Sequence, residues 1–393
     1  MSTKKELGQY FTVNESLQKF VFDKTKNKGL PLLEPSMGAG HLLRLFLLSN
    51  PDYPAVCYEL DNKIKPIVTL SQAQTVTYAD FMKEKVAGKF KTIIGNPPYV
   101  KQQGAPNLYL QFIDKCVDLL DVDGELIFIV PSDFLKLTSA AKVLRKMVDL
   151  GSFTDFLYPD NEKLFEESVV DVVIFRYQLG LKSTVCVRNG VTVSWRFNEG
   201  IVTFAGTAAA SASESNGSNG SSDKTIGNLF DCYVGFVSGR DTVFCSDLGD
   251  LELLCDKDKV RKYIYVTAYP SGNAAVDDYL KGHKTELMQR KIRKFNDSNW
   301  FEWGAIRNRG AVVERLGKPC IYVRTMTRQG VVAFAGVVQF FGGGLLCLVP
   351  KTDGLDLGPI VALLNSGDVK KDYIYSGRFK IGQKQVRYVS LPA

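Results

Sequence analysis

Leu30-Pro31-Leu32-Leu33-Glu34-Pro35-Ser36-Met37-Gly38-Ala39-Gly40-His41 decides the fold. An apolar run ends in an acidic residue and a proline. Two glycines one residue apart then precede an apolar stretch, His41 to Ser49, with helical spacing. This is a strand, a tight turn and a helix, with glycines where a backbone must bend sharply or come close to a ligand. A Gly-x-Gly turn alone is often only a turn, and the third glycine of the dinucleotide fingerprint is missing. The pattern repeats, however. Ala55 to Tyr58, Thr75 to Tyr78, Lys91 to Ile94, Glu125 to Val130 and Val169 to Tyr177 read as strands. Asp61 to Ser71 and Leu108 to Leu120 read as the helices around them. Such alternation predicts an α/β, doubly wound, Rossmann-like domain with a parallel sheet, whose ligands bind at the carboxyl ends of the strands.

The residues at those ends carry chemistry. The fourth strand runs into Asn96-Pro97-Pro98-Tyr99. A side-chain amide, prolines that fix φ and an aromatic ring suit the holding of a planar amine such as that of adenine. The Asn96 oxygen and the Pro97 carbonyl can accept from its hydrogens, and Tyr99 can stack on the ring. A proline-terminated strand before a surface turn is the plain alternative. Glu59 ends the second strand, where ribose hydroxyls can be met. Asp80 follows the third, placed for an adenine amine, with Phe81 beside it to pack on the ring. A solvated carboxylate is the ordinary reading of each acid alone. Their order along successive strand ends favours a ligand.

The 393 residues suffice for two cored domains. Apolar content of 45% and charged content of 23% are those of a soluble globular chain. No stretch is long and apolar enough to cross a bilayer, and no secretory core opens the chain. Eight scattered cysteines without a Cys-x-x-Cys pair predict reduced thiols and a cytoplasmic location. With two histidines far apart, a histidine metal site or histidine base is disfavoured, and no metal is expected. The +7 formal charge permits a polyanionic partner without requiring one. Gly206 to Lys224, GTAAASASESNGSNGSSDK, reads as a flexible linker or disordered loop dividing residues 1–205 from 225–393. The second part, with Tyr263 to Val266, Gly330 to Val338 and the charged, helix-like Asp277 to Lys294, predicts a mixed α+β module. Lys284, Arg290, Lys291, Arg293 and Lys294, with Arg307 and Arg309 further on, form basic groups suited to phosphates, although a solvated helix face would look the same.

Taken together, Glu34 to Gly40, Glu59, Asp80 and Asn96 to Tyr99 resemble the S-adenosylmethionine-dependent DNA adenine-N6 methyltransferases. The order, cofactor motifs before Asn-Pro-Pro-Tyr and a recognition domain last, is that of the gamma type. Leu7-Gly8-Gln9-Tyr10-Phe11-Thr12 is similar to the N-terminal motif of that family. The resemblance implies that Tyr10, Phe11 and Thr12 line the methionine end of the cofactor pocket. It places Glu34 near the cofactor amino group, with Pro35, Ser36, Gly38 and Gly40 in the same motif. Glu59 would take the ribose, Asp80 the adenine amine, with Phe81 and Asn96 also at the cofactor. Asn96, Pro97, Pro98 and Tyr99 would be catalytic. Lys163 to Val169 is similar to a segment whose phenylalanine, here Phe165, faces the flipped base across from Tyr99; a core phenylalanine is the equal alternative. Met37 departs from the small residues usual there. Gly227 to Phe230, Gly235 to Asp241, Tyr279-Leu280, Trp300 and Leu363 to Ser366 resemble parts of the family's recognition domains, which makes Arg240 and Arg307 candidates for base contact.

The implied activity is methylation of flipped-out adenine in duplex DNA by S-adenosylmethionine. The expected setting is a restriction–modification or viral modification system, with a monomer acting beside a separate restriction endonuclease and away from membranes. Enzymes that methylate a protein glutamine or an RNA base share the Asn-Pro-Pro-Tyr chemistry and stay as alternatives, as does a catalytically inactive DNA-binding relative.

Overall fold

The computed structural model describes residues 12–100, 106–159, 171–205, 224–375 and 378–391. The chain divides into two compact units, Met1–Ser221 and Ser222–Ala393. Tyr10, Phe11, Phe165 and nearly all of the Gly206 to Lys224 segment lie outside the described residues.

The first unit is built on one sheet. Its strands are β1 (Leu32–Glu34), β2 (Ala55–Glu59), β3 (Gln74–Tyr78), β4 (Phe90–Gly95), β5 (Leu120–Pro131), β6 (Gly151–Leu157), β7 (Val172–Leu179), β8 (Val185–Arg188), β9 (Val191–Asn198) and β10 (Ile201–Ala205). They lie in the order β10-β9-β8-β6-β7-β5-β4-β1-β2-β3. The run β3-β2-β1-β4-β5 is parallel throughout. Strand order therefore reverses between β1 and β4, and that crevice is where a doubly wound sheet receives ligands.

Sequence explains these elements locally. β4 and β5 bury Ile93, Ile94 and the run Leu126 to Val130 completely, as a sheet covered on both faces requires. Helix α1 (Glu15–Lys24) starts where the Asn14 side chain accepts from the amides of Ser16 and Leu17. After α2 (Arg44–Ser49), helix α3 (Leu108–Leu119) buries Tyr109, Phe112, Ile113 and Cys116 at three- and four-residue spacing. Helix α4 (Ala141–Leu150) then leads into β6.

Three expectations change. The sheet is mixed: β7 runs antiparallel to both β5 and β6, and β8 to β10 extend the edge. The extension turns at Asn189-Gly190 (φ 47° and 81°) and Glu199-Gly200 (φ 47° and 82°), two-residue turns with positive φ at both positions. Asp61 to Ser71 is irregular. Pro66 interrupts it, the Ile67 amide donates to the Ala39 carbonyl at 2.9 Å, and Val68 packs on Gly40, so the segment lies on the glycine turn. Met37 is buried in the core, its amide donating to Tyr58 O.

In the second unit, α5 (Ile226–Leu229) precedes β11 (Phe230–Val234), and α6 (Asp241–Phe244) precedes the hairpin β12 (Leu251–Asp256) and β13 (Lys259–Tyr263). Two short helices, α7 (Ala274–Gly282) and α8 (Lys284–Met288), stand where one longer helix was expected; His283 separates them, and no helix covers Gln289 to Lys294. After α9 (Arg309–Val313) come β14 (Pro319–Arg324), β15 (Met326–Thr327), β16 (Ala333–Val337) and β17 (Leu345–Pro350). The antiparallel sheet β11-β17-β14-β16 is the centre of this unit, covered by α10 (Gly358–Asn365), whose Leu364 is fully buried beside Ile321 and Leu348.

A buried carboxylate at the amino end of the first sheet tests this packing. Glu125 accepts from the amides of Lys26 and Asn27, from the Thr92 hydroxyl and from Arg176 Nε at 2.7 Å, with both ionic side chains almost wholly buried. Arg176→Met would leave that charge without its counter-ion. The expected loss is about 3–5 kcal/mol of unfolding free energy, read from the urea midpoint and slope; a loss below about 1 kcal/mol would contradict the role given to the pair.

Candidate active site

The carboxyl ends of β1, β2 and β4 meet at one edge. From β1 comes Glu34, 1% exposed. The turn after it takes φ of 55° at Gly38 and 83° at Gly40, a region that favours glycine. From β2 comes Glu59, 8% exposed. Its two oxygens accept from the Gly38 amide at 2.7 Å and the Asp61 amide at 2.8 Å, so the end of β2 is tied to the turn after β1.

Glu34 has no such partners. Its Oε2 is buried and unbonded, and so is the Ser36 hydroxyl. Burial, and then the Glu59 charge, push the Glu34 carboxyl well above the usual range. Buried polar atoms without partners are rare in native proteins, and two of them at the end of one strand can receive a polar ligand.

Asn96 follows β4. Its Nδ2 donates to Thr12 Oγ1 at 3.1 Å, and the Thr12 carbonyl accepts from the buried Gln18 of α1 at 2.8 Å. The amide oxygen accepts from the Tyr99 hydroxyl at 2.5 Å. The Tyr99 oxygen also lies 3.1 Å from the Ile129 carbonyl. The Tyr99 ring is half-buried, packed on the sheet core and edge-on to Tyr109, with centroids 6.2 Å apart. Pro97 is buried and Pro98 partly so.

The structure thus brings Thr12, Glu34, Ser36, Gly38, Glu59 and Asn96 to the ends of neighbouring strands or against them. Asp80 follows β3 at the same end of the sheet. Its Oδ1 accepts from the Met82 amide and its Oδ2 lies 3.4 Å from Lys83 Nζ. Phe81 is a correction. Only 2% exposed, it packs against Tyr58 and Phe112 with Lys115 Nζ 4.4 Å from the ring centroid, so its faces belong to the core. Sequence reasoning missed Gln18 and the Ile129 carbonyl. A glutamine beside Leu17 and Val21 on the buried face of the helix was the available signal for the first; nothing signalled the second.

The basic candidates of the second unit are also revised. Arg290 is 8% exposed, and its guanidinium donates to the carbonyls of Leu287, Ser238, Glu302 and Trp300. It is a strut between backbone segments and not a phosphate contact. Arg240 pairs with Glu286 at 2.5 Å, Lys284 with Asp297 and Arg293 with Glu302, both at 2.6 Å. Lys291, Lys294 and Arg307 are exposed. Among the described residues there is no group of acids, cysteines and histidines that could hold a metal, and no helix long and apolar enough to cross a membrane.

Residues 43–165 match the Eco57I restriction-modification methylase family. That match covers less than half of this chain. It is 30% identical over 201 residues to the type II methyltransferase M.HincII of Haemophilus influenzae, spanning 46% of this chain and 38% of that relative. It is 33% identical over 171 residues to the modification methylase CviBIII of Paramecium bursaria Chlorella virus NC1A, spanning 38% of this chain and 45% of that relative. The matched region is thus less than half the length of either relative. Among solved structures, the type IIG restriction endonuclease BpuSI aligns over all of this chain and 59% of its own, at 14% identity and a TM-score of 0.39.

S-adenosylmethionine is the cofactor of such a methylase domain, supplying an electrophilic sulfonium methyl. The unbonded Glu34 carboxyl and Ser36 hydroxyl fit a polar, cationic guest at the end of β1. The raised Glu34 carboxyl has a measurable consequence in the free chain. A folded-state value above the unfolded one means that the folded chain holds a proton the unfolded chain has released, so stability falls as pH rises above the ordinary carboxylate range. Glu34→Gln should remove that fall, giving a flatter melting temperature against pH than the parent. Parallel profiles for the two proteins would show that Glu34 carries no such penalty.

Proposed function

We propose that the chain transfers a methyl group from S-adenosylmethionine to N6 of an adenine flipped out of duplex DNA. The first unit is the catalytic domain, and residues 225–393 serve as the target recognition domain. The relatives named above are restriction–modification methylases; a separate endonuclease acting at the same DNA sites is the natural counterpart.

The observation that carries the reading is the position of Asn96: its amide stands at the end of β4 between the Thr12 and Tyr99 hydroxyls, next to a proline-held loop. An amide oxygen there suits an amine nitrogen that donates hydrogen bonds and gives up one proton to solvent as it gains a carbon. The Pro97 carbonyl is the second acceptor. The lone pair of an adenine amine is delocalised into the ring, and two acceptors draw it toward a tetrahedral, nucleophilic geometry. Tyr99 must release Asn96 Oδ1 when the amine arrives, which leaves its ring to stack on the base. Glu34 and Ser36 would hold the methionine end of the cofactor, alongside Thr12. Glu59 would meet the ribose while still clasping Gly38, because each carboxylate oxygen accepts more than one hydrogen bond. Asp80 would take the cofactor's adenine amine. Flipping costs a few kcal/mol of stacking, which contacts from the second unit offset.

Asn96→Ala tests this. Transfer of labelled methyl to duplex DNA should fall by about 10²–10³-fold, while the S-adenosylmethionine dissociation constant from calorimetry stays within a few-fold of the parent's. Undiminished transfer in the variant would rule out the role assigned to Asn96.

A further inference from the structure

Between α8 and Trp300 the chain reads Arg290-Lys291-Ile292-Arg293-Lys294-Phe295. Its two ends are fixed. Arg290 is tied by four carbonyls to three separate backbone segments, and its guanidinium lies 3.8 Å from the Phe295 ring centroid. Phe295 is itself 8% exposed. The four residues between are all exposed, so they form a short protrusion on a rigid base.

Ile292 sits in its middle and is 45% exposed. Its inner side rests on two glycines. A Cβ placed at Gly304 would come within 2.6 Å of Ile292 Cγ2, and one at Gly239 within 3.0 Å. The side chain is therefore supported from below and open above. Around it stand cations. Arg293 is paired with Glu302, while Lys291 and Lys294 have no carboxylate partner among the described residues. Arg293 and Arg240 crowd Arg290 closely enough that burial and their charges bring its guanidinium down to about 10. Like charges gathered on one rigid base repel, and a polyanion relieves that repulsion.

We propose that Lys291–Lys294 is a docking tip for duplex DNA, with Lys291 and Lys294 against phosphates and Ile292 pressed onto sugar or base edges in a groove. The choice of DNA rests on the methyltransferase reading above. It also rests on size: one aliphatic side chain on a four-residue loop is far smaller than the apolar face of a helix that lies on a membrane, whereas DNA-binding proteins use single aliphatic wedges rimmed by cations.

The test uses the full chain and fluorescence anisotropy with a labelled duplex at several salt concentrations, and anionic phosphatidylserine vesicles in parallel. The double variant Lys291→Ala, Lys294→Ala should bind the duplex more weakly, with the slope of log K against log salt reduced by about 2. Ile292→Ser should lose several-fold in duplex affinity with the slope unchanged. Unaltered melting temperatures separate these effects from misfolding; should Ile292→Ser melt early, Ile292→Val serves, with a smaller loss expected. Parent-like duplex binding by both variants, or parent binding to vesicles and not to DNA, overturns the proposal. A parent that binds duplex through this tip yet transfers no methyl group overturns the catalytic reading alone. Transfer by a parent whose variants bind normally overturns the tip alone.

Discussion

The Glu59 carboxylate, clasping the amides of Gly38 and Asp61, is the contact on which the rest of the candidate site depends. It joins β2 to the turn that leaves β1. The turn is held again by Met37, whose amide donates to the Tyr58 carbonyl, and by Ile67, whose amide donates to Ala39. Without these ties two glycines at positive φ would be a loose loop. With them the turn is fixed, and beside it in sequence Glu34 and Ser36 each bury a polar atom that no described residue bonds.

This geometry carries an electrostatic cost. Glu34 lies near a second carboxylate in a nearly dry place, so its proton is held tightly. Natural proteins keep such unfavourable groups where function uses them. A cationic guest would reverse the balance at Glu34, and its binding free energy would offset the desolvation of that carboxylate. Asn96 is arranged differently. Its amide is bonded to Thr12 on one side and to Tyr99 on the other. One end of the strand edge is thus short of partners and the other is closed by an internal latch.

Much of the first unit was legible in the sequence. The apolar runs of β2, β4 and β5 and the Gly-x-Gly turn announce parallel strands with a ligand edge, because burial on both faces leaves no room for polar alternation. The β8–β10 extension was not read, although Asn189-Gly190 and Glu199-Gly200 are hairpin turns by composition. Asp61 to Ser71 misled because its charges and apolar residues mimic helical spacing; Pro66, legible in the sequence, and contact with the glycine turn, which is not, together decide it. Phe81 and Arg290 failed for one reason. A strand-end aromatic and a clustered arginine look available for ligands, and only packing shows that Tyr58, Phe112 and Lys115 cover the first and backbone carbonyls hold the second. The Asn96 to Tyr99 motif could be read as chemistry, but the side chain its amide donates to, Thr12, lies 84 residues away in sequence.

Methyl transfer to DNA adenine is tested most directly by incubating unmodified plasmid with the chain and S-adenosylmethionine and mapping modified bases by single-molecule sequencing. The expected result is N6-methyladenine confined to one short recurring sequence and absent when Asn96 is alanine. Unmodified plasmid, with labelled methyl recovered instead in protein or RNA, would contradict it.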